Sequence, residues 1–279
     1  MPARGLIIAA PASGSGKTLV TLALLRRLAR DGGRGGIRVI GAKAGPDYID
    51  PMFHTAACGL PCRNLDIWAM RPETLAAAIS GLDRCADLVV TEGVMGLFDG
   101  INLPGRPDAG STADLAAATG WPVVLVVDAG RQAASVGALL RGFATHRADV
   151  TIAGVIFNRV GSAAHREVLT AAARAAAPGI ALLGCVPRDA ALNLPERHLG
   201  LVPAGERADL DTFLDRAAAI VGDALDLDAL TALARPAATM ATLRATGGND
   251  TGLLRCARND GEGGQAAGLP DASSSPSPP

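Results

Sequence analysis

Near the start of the chain, Pro11-Ala12-Ser13-Gly14-Ser15-Gly16-Lys17-Thr18 stands between an apolar run, Leu6 to Ala10, and a segment with Leu22, Leu25 and Leu28 at helical spacing. A strand that turns through small residues into a helix commits the chain to an α/β fold, with the loop at the helix N-terminus. Backbone N–H groups of Ser13, Gly14, Ser15 and Gly16 can curl around phosphate oxygens, Lys17 can reach the terminal phosphates, and the Thr18 hydroxyl suits Mg²⁺. Pro11 occupies the place of the loop's usual first glycine, so the flanking strand and helix carry the assignment.

Further apolar runs of strand length follow at Ile37 to Ala42, Leu88 to Thr91, Val123 to Asp128, Ile152 to Phe157 and Ile180 to Val186. Helical patterns separate most of them: Pro72 to Ile79, Thr112 to Thr119, Ala133 to Phe143 and Ala163 to Ala176, with a last helix near Leu210 to Leu225. This alternation predicts a mostly parallel sheet covered by helices on both faces, with ligands gathered at the carboxyl ends of its strands. From about Ala234 the periodicity collapses, and Gly261 to Pro279 has the Gly, Ser and Pro content of a disordered tail.

Composition narrows the partners. With 26 Lys and Arg against 27 Asp and Glu, the chain lacks the basic excess that nucleic acid requires. Its five cysteines form no CxxC pair, which fits a reducing cytoplasm. No apolar run approaches the roughly 20 residues of a membrane span. Small molecules or proteins are the expected partners.

Polar residues just after the strands are the candidates for chemistry. In Lys43-Ala44-Gly45-Pro46-Asp47-Tyr48-Ile49-Asp50-Pro51, Gly-Pro-Asp makes a turn on the nucleotide side of the sheet, where a carboxylate can hold Mg²⁺ directly or through water. In Glu92-Gly93-Val94-Met95-Gly96-Leu97-Phe98-Asp99-Gly100, Glu92 at a strand end is the second candidate metal ligand. Asp99 fits three roles: ligand, orienting group or loop cap. The amide of Asn158 suits either a purine edge or a capping turn, and Pro187-Arg188 is read as a second wall of the same pocket.

These segments, with Glu196-Arg197-His198-Leu199-Gly200-Leu201, resemble the cobyrinic or hydrogenobyrinic acid a,c-diamide synthase family over the stretch from the N-terminus to about Leu230. The resemblance implies a P-loop NTPase-like fold similar to dethiobiotin synthetase. It also implies an ATP- and Mg²⁺-dependent ligase that phosphorylates the a and c acetate carboxylates of a corrin and lets ammonia displace the phosphate. Lys17, Asp47, Asp50, Glu92 and Asp99 would be its catalytic residues, Thr18, Asp47 and Glu92 its metal ligands. Residues 13–18, Asn158, Pro187 and Arg188 would bind the nucleotide.

The family also carries a C-terminal glutaminase domain of on the order of 100 to 200 residues. Residues 231–279 are too short and polar for one, and Cys256 lacks the strand-to-helix elbow of its nucleophile. The expectation is therefore a synthetase domain at 1–230 and a non-family tail, with ammonia coming free or from a separate glutaminase. A stand-alone carboxylate-activating ligase of the dethiobiotin synthetase type and an inactive fragment are the alternatives. A septum-site or partition ATPase fits less well, because Ala12 stands where those proteins carry a second lysine. The oligomeric state stays open, with a homodimer among the options.

Overall fold

The computed structural model describes residues 2–32, 36–192 and 209–238. Strand β1 (Arg4–Ala9) leads through the glycine loop into helix α1 (Lys17–Gly32). Then come β2 (Val39–Ala44), α2 (Asp50–Cys58), β3 (Arg63–Leu65), α3 (Pro72–Cys85) and β4 (Leu88–Glu92). A hairpin of β5 (Ile101–Leu103) and β6 (Arg106–Ala109) precedes α4 (Thr112–Thr119), β7 (Val123–Asp128) and α5 (Val136–His146). The chain continues through β8 (Ile152–Val160), α6 (Ala163–Ala176), β9 (Ala181–Pro187), α7 (Leu210–Ala224), α8 (Leu227–Leu233) and β10 (Arg235–Pro236).

Seven strands lie parallel in the order β3-β2-β4-β1-β7-β8-β9, and β10 adds antiparallel to β1. The predicted mostly parallel sheet with helices on both faces is the observed one. Strand alternation divides the core in two. Ile7 and Ala9 face one layer with Leu75 and Ile79 of α3, Leu115 of α4, Leu140 of α5 and Leu169 of α6. Leu6 and Ile8 face the other, with Leu22 and Leu25 of α1, Phe53 of α2, Leu214 of α7 and Leu230 of α8.

Neighbouring strands β1 and β4 therefore send the chain to opposite faces, through α1 and α4. A crevice opens where such strands diverge, at their carboxyl ends. Register sharpens this: Ile8 pairs with Glu92, and Glu92 with Lys43.

Some expectations change. The segment Asp47 to Pro51, read as a turn, runs directly into α2, with Asp50-Pro51 forming its first turn; proline suits that position because the first helical N–H has no partner to lose. The hairpin β5–β6 was not foreseen. The fold also continues past Leu230: α8 buries Leu230, β10 pairs with β1, and Ala238 N donates to Thr119 O. The segment with Glu196, Arg197 and His198, and the tail from residue 239 onward, lie outside the described residues. Among the described residues no helix is long and apolar enough to cross a membrane.

Candidate active site

The loop after β1 is held from several sides. Gly14 and Gly16 adopt φ of +79° and +89°, which only glycine takes at no cost. Ser15 Oγ donates to Ala12 O at 2.8 Å, and Val20 N donates to Gly16 O. From below, Asn158 Nδ2 donates to Ser15 O at 2.9 Å while its Oδ1 accepts from Arg159 N. Asn158 is 2% exposed, and a Cβ on Gly16 would lie 2.2 Å from its amide nitrogen. Pro11 packs where the loop after β4 crosses it: a Cβ on Gly96 would lie 2.7 Å from Pro11 O, and Leu97 N donates to Ala10 O. That close crossing occupies the ground beside the loop's first position.

Glu92, wholly buried at the end of β4, is the hub of the crevice. Thr18 Oγ1 donates to its Oε1 at 2.5 Å, and Lys43 Nζ reaches the same oxygen at 3.2 Å. Its other oxygen, Oε2, lies 2.6 Å from His54 Nε2. Lys43, 3% exposed at the end of β2, also meets Asp50 Oδ2 at 2.5 Å and Asp47 Oδ2 at 3.7 Å. Burial alone would raise the Glu92 carboxyl, yet Lys43 and the bond to His54 outweigh it and hold the group well below the usual carboxylate range. Burial likewise opposes the Lys43 charge, but Glu92 and Asp50 carry its pKa above the ordinary lysine value. Asp50 moves the other way, pushed up by burial and by Glu92, so it accepts a proton more readily than Glu92 does. Burial lowers Lys17, with Glu92 opposing and Lys43 adding to the fall.

Asp47 and Asp99 stand apart from this hub. Asp47 Oδ1 accepts from Ile49 N and Asp50 N, so the carboxylate organises the start of α2. Asp99 is exposed, and its Oδ2 accepts from Gly96 N at 2.8 Å, as a loop cap does. Of the three expected metal ligands, Thr18 and Glu92 touch, whereas Asp47 approaches only through Lys43. Sequence reasoning had Lys43 in a candidate segment without giving it a role, and missed His54 as a site residue. A lysine closing an otherwise apolar strand was a usable signal, because a buried lysine needs an acid beside it. His54 lies four residues after Asp50 and so on the same helical face, a relation visible only once α2 is recognised.

Two cavities lie over the sheet on the side of the phosphate loop and of the loop after β2. One, of about 630 Å³, opens between the phosphate loop (Ser13 and Gly14), Asp128, Arg159 and Arg188, over the ends of β7 to β9. Arg159, at φ +60°, donates to Gly14 O and pairs with Asp128 Oδ2; Arg188 donates to Gly130 O, while Pro187 ends β9 beside it. The other, of about 680 Å³, lies over β2 and β3 among Asp47, Tyr48, Cys62, Arg63, Asn64 and Met70.

A hydroxyl and a carboxylate are hard oxygen donors of the kind Mg²⁺ prefers. Among the described residues no group of three or more His, Cys, Asp and Glu side chains could form a metal cage.

Comparison with known proteins bears on this geometry. The profile of the CobQ/CobB/MinD/ParA nucleotide binding domain matches residues 6–202. The chain belongs to this family. Hydrogenobyrinate a,c-diamide synthase of Brucella anthropi is 54% identical over 228 residues, covering 81% of this chain and 50% of the relative. The enzyme of that name from Rhizobium meliloti is 53% identical over 234 residues, covering 83% and 52%. The chain thus spans about half the length of the curated relatives it matches. Chloroplast FtsY from Physcomitrella patens superposes with a TM-score of 0.46 at 16% identity, covering 78% of this chain and 65% of that one.

Proposed function

We propose that this chain is the carboxylate-activating part of a diamide synthase: it binds MgATP and a corrin polycarboxylate, phosphorylates the a and c acetate carboxylates, and lets ammonia convert each to an amide. The observation that carries this is the meeting of Thr18, Lys43, Asp50 and Glu92 beside the phosphate loop, with Lys17 within electrostatic reach of Glu92, at a sheet edge that also carries one cavity beside the loop and one over β2 and β3. The first cavity suits a nucleotide, with Arg188 in its wall; the Asn158 amide is occupied in bracing the phosphate loop, so it supports the nucleotide through that loop and not at a purine edge. The second suits an amphipathic acceptor, since it joins Met70 and Tyr48 to Arg63 and Asn64. The identity with relatives named for hydrogenobyrinate supports the corrin as that acceptor.

A carboxylate is a poor acyl donor until one oxygen leaves as phosphate. In the first step that oxygen attacks the terminal phosphorus of ATP and ADP departs; in the second, ammonia attacks the acyl carbon, phosphate departs and a proton is lost. Neither step needs covalent help from the protein, so positioning and charge carry the catalysis. Loop N–H groups and Lys17 hold the phosphates. Lys43, kept charged by Glu92 and Asp50, faces the same crevice from β2 and can neutralise the transferring group or the incoming carboxylate. Thr18 and Glu92 would hold Mg²⁺, which when bound offsets phosphate charge. Asp47 shapes the loop at the acceptor cavity, and Asp99 caps the loop after β4. The four cysteines among the described residues are free, which supports a reducing cytoplasm as the setting.

The test is an amidation assay with hydrogenobyrinate and MgATP, supplying ammonium and following product mass. Ammonium should support two successive amidations. Wild-type chain that binds MgATP yet amidates nothing with ammonium would overturn the proposal.

A further inference from the structure

Glu92 spends its two oxygens differently. Oε1 faces the crevice and takes Thr18 and Lys43, whereas Oε2 turns inward to His54, a side chain with no exposed surface. The opposite edge of that imidazole is also engaged: Nδ1 lies 3.4 Å from Cys62 Sγ. The fold is cut to admit this chain of groups. On β2, Gly41 leaves the space the ring enters, since a Cβ there would lie 2.9 Å from His54 Cβ. Cys62 is tied to the same helix, its N–H donating to Thr55 Oγ1 at 3.0 Å, and Thr55 donating in turn to Pro51 O at 2.8 Å.

From this geometry we infer that His54 and Cys62 are positioning residues that lock the Glu92 carboxylate with Oε1 aimed at Thr18 and Lys43. The inference rests on the proposed role of Glu92 in holding Mg²⁺ beside the phosphate loop. An ionised carboxylate only accepts, so the hydrogen between the pair resides on His54 Nε2. In the neutral ring Nδ1 then presents a lone pair to Cys62. Burial, with Cys58 nearby, keeps the Cys62 thiol protonated far above its ordinary range, so its S–H is the donor to Nδ1. The thiol thereby fixes the ring's tautomer and plane, and the ring fixes the carboxylate. Neither residue reaches the phosphate loop, yet outer contacts of this kind commonly govern metal affinity by about 10- to 100-fold.

Two paired substitutions and two readouts test it. Cys62→Ala should lower kcat about tenfold with the KM for ATP nearly unchanged, and should raise by a similar factor the Mg²⁺ concentration that half-saturates binding of a fluorescent ATP analogue. Cys62→Ser, which keeps a donor at the same place, should restore both. His54→Leu should produce the larger loss, about 100-fold, and His54→Gln, which returns an N–H toward Glu92, should recover part of it. A Cys62→Ala protein with the wild-type Mg²⁺ requirement, or a Cys62→Ser protein no better than Cys62→Ala, overturns the inference. The Mg²⁺ titration needs no turnover, so it decides this point even where corrin amidation itself fails.

Discussion

At the residue scale the site is an arrangement of opposed charges that burial would forbid singly. Glu92 remains ionised inside the protein because Lys43, His54 and Thr18 surround it. Its pKa is depressed on folding, so on acidification the unfolded chain takes up that proton first, and the stability Glu92 contributes is lost as pH falls below its ordinary value of 4.5. Urea unfolding of wild type and Glu92→Gln at a series of acidic pH values should show a flatter pH dependence for the variant; parallel curves would contradict the assigned depression. Lys17, Thr18 and Glu92 were legible in the sequence because each follows an apolar strand or a glycine loop with known mechanics. Asp50 was legible as an acid near the site, though its salt bridge to Lys43 was not. Glu92's dependence on His54 was hidden, since nothing in a lone histidine tells whether it faces core or site.

At the scale of elements, the long strands and amphipathic helices were readable from periodicity, and the short or proline-bearing pieces were not. Helix α2 begins with Asp50-Pro51 immediately after Gly-Pro-Asp, so turn chemistry masked the helix that brings Asp50 and His54 to Glu92. The hairpin β5–β6 has strands too short and polar to give a period. The phosphate loop shows the reverse, a motif whose mechanics dictate the backbone. Gly16 combines a positive φ with an Asn158 amide 2.2 Å from where a Cβ would sit. Gly16→Ala is therefore expected to weaken nucleotide affinity by at least about tenfold, near 1.4 kcal/mol, by displacing the loop. Titration with a fluorescent ATP analogue measures this, and unchanged affinity would remove the Asn158 brace from the account.

At the scale of the molecule, the sheet separates two tasks. Strands β7 to β9 carry the cavity beside the phosphate loop, β2 and β3 carry the other, and β4 and β1 lie between them in the sheet. The body that supports this extends beyond the expected boundary at Leu230, a residue wholly buried against the α1 and α7 layer. Leu230→Ala should cost about 2 to 4 kcal/mol in denaturant unfolding, as a core truncation does; a near-neutral result would contradict the packing assigned to α8. Activation of a carboxylate by ATP at the crevice remains the central claim, and oxygen-18 tests it most directly. With hydrogenobyrinate labelled in its carboxylates, each amide formed with ammonium and MgATP should deliver one labelled oxygen to inorganic phosphate. Amide formed with no label in the phosphate would contradict the account.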